Sequence, residues 1–414
     1  MRNPENQFTI KAKLFRAFRE EVSFEIKPLT LLYGFNQAGK SSLLRLLPFL
    51  ADSNQLGAGP LDLSSPAFGG ATLKELGCLC RPPSLTPWFS FEASGFPEKP
   101  SLKMQFDNDQ GLVVNRLRIT SDSREIFSAD YSGTSSRIGS KLVADYEGRC
   151  NGTDWSGELI FSSLFPQGLP EQAEAIVEKV QSAITPLERL QWLQADRLSG
   201  KKNDRASRCC RPDGSDLPAL LDNPEGQNLL KKASTWLASQ EGLGNAIRLQ
   251  QDSSGHQEFV HGAHAREALP LSHAGEGIQS LLPIVVCSYW AETKNAAAPT
   301  MLAVEEPEAH LHPTVQVALL NRLIETVQAG IPVVLETHSV YLLRAMQVAL
   351  LEKRLVPEEV ALYWVEQTKD SVSKASRIAI SPDATLTGWP PEVFEKEQEL
   401  AHRIFDLRWT KGGR

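Results

Sequence analysis

The stretch YGFNQAGKSS (residues 33–42) joins an apolar run, Leu29 to Tyr33, to a segment with leucines at helical spacing up to Pro48. That order, strand then loop then helix, constrains the fold more than any other feature of the chain. Gly34 and Gly39 let the backbone curl so that the N–H groups of Phe35, Asn36, Gln37 and Ala38 point inward. The helix that follows adds the positive end of its dipole at the same place. Lys40 is then placed to reach β- and γ-phosphates, and the Ser41 hydroxyl, with Ser42 beside it, to complete a Mg²⁺ shell. The expected ligand is a nucleoside triphosphate.

Composition limits what surrounds this loop. At 414 residues the chain has room for about two or three domain-sized units and needs no disulfide staples. A net charge of −7 argues against a surface that is basic throughout. The longest apolar stretch, SLLPIVVCSYWA, is too short to span a bilayer, and no N-terminal signal segment is legible. The six cysteines show no zinc-ligand spacing and no disulfide framework, so free thiols in the cytoplasm and no membrane partner are expected.

Beyond the loop the texture changes several times. FTIKAKLF and EVSFEI read as strands, and residues 51–85 are rich in Gly, Pro and Ser. Alternating runs from about 88 to 163 suggest an antiparallel sheet. EQAEAIVEKVQSAITPLERLQWL reads as helical, as does a second stretch ending near residue 248. From 281 to 365 short apolar strands return: MLAVEE, PVVLE and VALYWVE.

Three later stretches sharpen the expectation. MLAVEEP is an apolar strand running into Glu305 and Glu306, with Pro307 marking a turn. P-loop ATPases need one carboxylate beside Mg²⁺ and another to activate the attacking water, and adjacent acids at a strand end can serve both. PVVLETHS is a second such strand, ending in Glu336, Thr337, His338 and Ser339, with His338 placed to sense a γ-phosphate. LSHAGEGIQSLLPI puts Ser272, Gly275 and Gly277 before an apolar helix, where hydroxyl and N–H groups face an anion or simply cap the helix.

In this order the motifs resemble the ABC-type ATPase heads. Among these the chain is most similar to prokaryotic stand-alone ATPases related to the overcoming-lysogenization-defect (OLD) proteins and, more distantly, to the SMC chromosome ATPases. Those relatives open with a strand reading like Leu14-Phe15-Arg16-Ala17-Phe18, and the tail GWPPEVFEKEQEL looks like the ending of such ATPases. The resemblance implies an α/β P-loop NTPase head with an antiparallel β subdomain and an inserted helical region. Residues 1–85 would hold the first part of the core, 86–165 the β subdomain and 166–260 the helical insertion. Residues 261–375 would hold the second part of the core and 376–414 a tail.

The resemblance also implies roles. Lys40 and Ser41 hold phosphate and Mg²⁺, Glu305 is the Mg²⁺-side acid, Glu306 the general base and His338 the switch histidine. Ser272, Gly275 and Gly277 form a signature that completes the site of the opposite subunit, and Ala309 to His312 meets that subunit. Two ATP molecules are then sandwiched in a head-to-tail homodimer that forms on ATP binding. The glutamine by which transporters couple Mg²⁺ to a membrane partner is not legible, Gln55 being the candidate. The related nucleases carry a TOPRIM domain after the histidine; the stretch after His338 is short for one and shows no Asp-x-Asp pair, so nuclease activity is not expected.

Lys201, Lys202, Arg205, Arg208 and Arg211 crowd into one stretch, either a solvated loop or a contact with DNA phosphates or an acidic partner. Arg197, just before it, reads as closing a helix, and it matches an arginine that the ATPases it resembles keep near the nucleotide. His256, His261, His264 and His273 lack the spacing of a metal site. Three functions remain open. The first is an ATPase whose dimer state switches a separate effector in anti-phage or anti-plasmid defence. The second is a DNA-handling ATPase of the repair or chromosome type, and the third a nucleotide sensor with little hydrolysis or a transporter subunit.

Overall fold

The computed structural model describes residues 7–78, 86–108, 111–198, 209–240, 243, 246–251, 257–261, 269–390, 399, 402–404 and 407. The chain opens with strands β1 (Phe8–Lys13), β2 (Val22–Ile26) and β3 (Leu29–Gly34), then helix α1 (Lys40–Ser53) and the short α2 (Leu73–Leu76). Next come β4 (Trp88–Glu92), β5 (Ser101–Asp107), β6 (Val113–Ser121), β7 (Arg124–Ile138), β8 (Lys141–Cys150) and β9 (Thr153–Phe161). Helix α3 (Glu171–Ala183) precedes β10 (Leu190–Leu193), and α4 (Leu217–Leu220) and α5 (Pro224–Ala238) precede β11 (Ile247–Gln251), β12 (Gln257–His261) and β13 (Leu269–Pro270). Helix α6 (Glu276–Thr293) then leads into β14 (Met301–Glu305), α7 (Pro313–Gln328), β15 (Val333–Glu336) and α8 (Val340–Leu351). The last strands are β16 (Val360–Gln367), β17 (Ser373–Ile380) and β18 (Leu386–Thr387).

These strands form two large sheets and one small one. The core sheet has the order β10-β14-β15-β3-β16-β17-β18, parallel from β10 to β16. The second sheet is antiparallel, β2-β1-β4-β5-β6-β7-β8-β9, and β11, β12 and β13 make the third. Strand β3 shows how the layers are built. Its residues alternate faces, so Leu29, Leu31 and Tyr33 enter the apolar cluster shared with α6, α7 and α8. Leu32 enters the other cluster, with the α1 leucines and the inner face of the antiparallel sheet. Helix α1 therefore lies buried between the two sheets, which explains why it is apolar almost all round.

Several boundaries differ from the sequence reading. The antiparallel sheet is not confined to residues 86–165, because Thr9 of β1 pairs with Glu92 of β4. The helical reading of 170–197 stops at Ala183: Pro186 lacks the N–H that a helix interior needs, and Leu190–Leu193 is a fully buried strand beside β14. So residues 166–260 contribute a strand to the core sheet. The second helical stretch ends at Ala238, and Ile247 already begins β11. Strand β17 crosses the expected 375/376 boundary. Helix α1 runs through Pro48 to Ser53 rather than ending at the proline. Leu14 and Arg16 are not in a strand; both have positive φ, in a tight turn after β1.

Candidate functional site

Strand β3 delivers the glycine-rich loop to the C-terminal edge of the parallel sheet, beside the ends of β14 and β15. Gly34 is required there by close approach: a Cβ would lie 1.9 Å from the Val365 carbonyl oxygen on β16. Gly39 is the N-cap of α1 at φ 100°, a conformation that side chains resist. Lys40 is buried, and its Nζ donates to the Phe35 carbonyl at 2.9 Å, folding back over the loop. Burial pushes its pKa down, opposed by the charges of Glu336, Glu306 and Glu308.

Three carboxylates stand at the strand ends, and they differ. Glu305 accepts from Arg45 Nε at 2.6 Å and Arg45 Nη2 at 2.8 Å, and from Trp192 Nε1 at 3.0 Å. The Arg45 guanidinium also lies 5.5 Å from the Trp192 ring centroid. Glu336 accepts from the Ser41 hydroxyl at 2.7 Å, while its Oε2 is buried with no hydrogen-bond partner. Burial pushes the Glu336 carboxyl up to about 7, against the lowering effect of the Ser41 hydrogen bond. Glu306 sits just past β14 at φ 41°, its N–H donating to the Glu336 carbonyl at 2.8 Å.

Beyond β15, the His338 backbone N–H donates to Glu308 Oε1 at 2.6 Å. The His338 ring is accessible at the site, and partial burial with the nearby Lys40 charge holds its pKa below the usual value. Arg197 follows strand β10 rather than closing a helix. It is buried, and it donates to the carbonyls of Ser280 at 2.7 Å, Gln194 at 2.6 Å, Glu305 at 2.7 Å and Glu306 at 3.0 Å. Burial pushes its pKa down to about 10, with Glu308 the largest opposing charge.

A cavity of about 670 Å³ opens over the loop, within the size range of small-molecule sites. Its floor includes Lys40, Ser41, Glu306, Glu336 and His338, with Asn36, Gln37, Gly39 and Ser42 along the loop. Arg16, Glu75 and Cys78 wall one side, Gln367 and Ser371 another. Glu305 is not on its surface. Nor are Ser272, Gly275 and Gly277, which lie at the start of α6. Gly275 is the N-cap of α6, without a side-chain cap, so Ser272 is exposed and not spent on capping. Gly277 packs against the turn after β14, where a Cβ would lie 2.7 Å from the His310 carbonyl, and His310 pairs with Glu276 at 2.9 Å.

Arg45, Trp192 and Glu308 carried no sequence signal of their own, and Glu336 carried the one that was available, an acid at the end of a buried strand. Of the basic stretch, Lys201, Lys202, Arg205 and Arg208 lie outside the described residues, as do His256, His264 and most of the tail from 391 on. The backbone N–H of Arg211 donates to Asp216 Oδ1 at 2.7 Å. Among the described residues no group of three or more His, Cys, Asp or Glu side chains is arranged to hold a metal, and no helix is long and apolar enough to cross a membrane. A Mg²⁺ ion would instead use oxygen donors, and the Ser41 hydroxyl on the cavity, with carboxylates ending β14 and β15, fits that need.

An AAA ATPase domain family matches residues 175–343, a span with β10, the start of α6 and both acidic strand ends but not the glycine-rich loop. No curated protein matches the chain. An SMC head bound to the C-terminal winged-helix domain of ScpA is 12% identical, with a TM-score of 0.47 over 90% of this chain and 97% of that one. The SMC head domain from Thermotoga maritima is 11% identical, with a TM-score of 0.41 over 90% and 98%. An Smc head with an extended coiled coil, bound to the C-terminal domain of ScpA derived from Pyrococcus furiosus, is 11% identical with a TM-score of 0.45 over 96% and 98%. Strand order and the glycine-rich loop describe a P-loop nucleotide-binding core, and the family match adds an AAA ATPase domain over residues 175–343.

Proposed function

We propose that this chain hydrolyses ATP in a head-to-tail dimer, and that the dimer's state switches a separate effector. The observation that carries the reading is the single cavity whose floor joins Lys40, Ser41, Glu306, Glu336 and His338 from three adjacent parallel strands. The loop N–H groups and Lys40 hold the β- and γ-phosphates. Mg²⁺, if held at the Ser41 hydroxyl, would supply positive charge to offset that of the phosphates. Glu306 takes a proton from the attacking water as its oxygen bonds to the γ-phosphorus. The bond from that phosphorus to the β–γ bridging oxygen breaks, and ADP leaves with the electron pair. His338 contacts the γ-phosphoryl group and reports its loss to β15 and α8.

Dimerisation is supported by the signature. Ser272 and the α6 N-terminus are exposed and lie off the cavity of their own chain, so an anion at that terminus must come from elsewhere. The setting, defence against phage or plasmids, rests on the resemblance to OLD-related ATPases alone. Phosphate release from Mg-ATP tests the enzymatic core of the reading. The wild type should turn over and Lys40→Ala should not; a folded wild type that releases no phosphate at any protein concentration would overturn hydrolysis.

A further inference from the structure

We propose that the C-terminal tail of this chain, from Val393 to Leu407, docks as a helix along the exposed face of α8. The inference is independent of the nucleotide chemistry and concerns a surface outside the cavity.

Helix α8 packs one side on the core and leaves an apolar stripe on the other. Leu342, Leu343, Met346, Ala349 and Leu350 are buried, while Tyr341, Arg344, Val348 and Leu351 are exposed. The exposed four follow one another at intervals of three, four and three, which sets them on one face. Val348 is 47% exposed and Leu351 59%, on the side of a helix that is ordinarily polar. A contiguous apolar stripe of this kind marks a contact surface.

The tail leaves the described fold where that stripe begins. Gln347 Nε2 donates to the Ala384 carbonyl at 2.8 Å, and Leu386 and Trp389 pack against the cluster that holds α8. The Trp389 ring lies edge-on to Tyr33 at 5.3 Å, and Tyr33 Oη donates at 2.6 Å to the carbonyl of Ser339, the N-cap of α8. The chain therefore passes from the middle of α8 to its N-terminal end, and residues 391–414 follow from there.

Spacing and charge in the tail sequence match the stripe. Val393, Leu400, Ile404 and Leu407 recur at helical intervals. His402, Arg403 and Ile404 are helical, and Ile404 is 52% exposed. Val348 follows Tyr341 by seven residues and Leu400 follows Val393 by seven; Leu351 comes three further on and Ile404 four. At 1.5 Å per residue the two stripes are each about 15–17 Å long. Laid side by side in the same direction, Leu400 meets Val348 and Ile404 meets Leu351. The same register sets Glu397 against Arg344 and Arg403 against Glu352, opposite charges at both places. Docking removes both apolar stripes from water at once.

Hydrogen–deuterium exchange on the full-length chain, read by mass spectrometry, tests this. Amides of residues 397–407 should be protected in the wild type and should exchange at least about tenfold faster in Val348→Glu, Leu351→Glu and Ile404→Glu. The first two substitutions lie outside the tail, so their effect on it requires contact and not a change in the tail's own helix propensity. Arg344→Glu should loosen the tail, and Arg344→Glu combined with Glu397→Arg should tighten it again. All these positions lie outside the nucleotide cavity, and unchanged affinity for fluorescent ATP checks that the fold is intact. Tail exchange in Leu351→Glu and Arg344→Glu equal to that of the wild type overturns the proposal. A tail unprotected in the isolated wild type overturns it too, and leaves the stripe to a separate protein. Protection that appears only as protein concentration rises would assign the stripe to a second copy of the chain and likewise overturn it.

Discussion

Arg197 donates from Nη2 to the backbone carbonyl of Glu306 at 3.0 Å, and Glu306 is held at φ 41°. A glutamate in that left-handed region costs about 1–3 kcal/mol and persists only where its surroundings fix it. Here the Glu306 N–H is held by the Glu336 carbonyl and its own carbonyl by Arg197. The same guanidinium reaches Ser280 on α6, so one buried side chain links α6 to the residue proposed to take the proton.

Arg197→Lys should therefore impair chemistry more than binding. Lysine keeps a charge but has no planar fork, and it cannot serve carbonyls just past β10, on α6 and at the end of β14 together. Glu306 would relax, and a misplacement of about 1 Å can cost about a hundredfold in rate. The expected result is kcat lower by roughly that factor with the affinity for fluorescent ATP unchanged. A kcat equal to wild type would show that Arg197 only fills space.

Arg45 and Glu305 should behave as a stability element. Arg45→Met leaves Glu305 buried without its cationic partner, a defect worth about 3–5 kcal/mol in a fully buried pair and less here because Arg45 is 37% exposed. Chemical denaturation should show a loss of about 2–3 kcal/mol. Arg45→Met combined with Glu305→Gln should recover part of it, since no lone charge remains. A double variant less stable than Arg45→Met would mean that the pair is not what Glu305 contributes.

The phosphate loop was legible because its chemistry is local: five residues between a strand and a helix position Lys40 and Ser41. Glu305, Glu306 and His338 were legible as residues for the same reason, acids or an imidazole where a buried strand runs out. That Glu305 stands off the cavity while Glu336 lines it was not, because sequence order does not say that β15 separates β14 from β3. Strand β10 was hidden by its brevity: four residues next to a helix give no clear period. Pairing of β1 with β4, across some eighty residues, is likewise invisible to local pattern. Arg45 gave no sign in the sequence, and only the fold brings it to Glu305.

The exposed signature predicts complementation between two defective chains. Ser272→Arg should leave ATP affinity intact, because Ser272 is absent from the cavity of its own chain, while hydrolysis falls. Lys40→Ala should lose binding outright. A mixed dimer then holds one composite site with both defects and one with neither. Mixing the two inactive proteins should restore phosphate release, up to one working site per mixed dimer. No recovery in mixtures shown to contain mixed dimers would mean that each chain completes its own site.

Glu306→Gln separates chemistry from assembly. The amide keeps the shape of the side chain and does not disturb the Arg197 contact, which is to the backbone. It cannot take a proton, and general-base catalysis is typically worth about 10²–10⁴-fold, so hydrolysis should fall within that range. Nucleotide should still bind, since Lys40, Ser41 and Glu305 are untouched. A dimer that opens on hydrolysis then has no route to open, and it should accumulate. Size-exclusion chromatography with light scattering, with and without Mg-ATP, should show a stable ATP-dependent dimer in the variant and little in the wild type. Wild-type turnover in the variant would remove Glu306 from the role of base. An inactive variant whose mass ignores ATP would retain Glu306 as the base and reject the ATP-gated dimer.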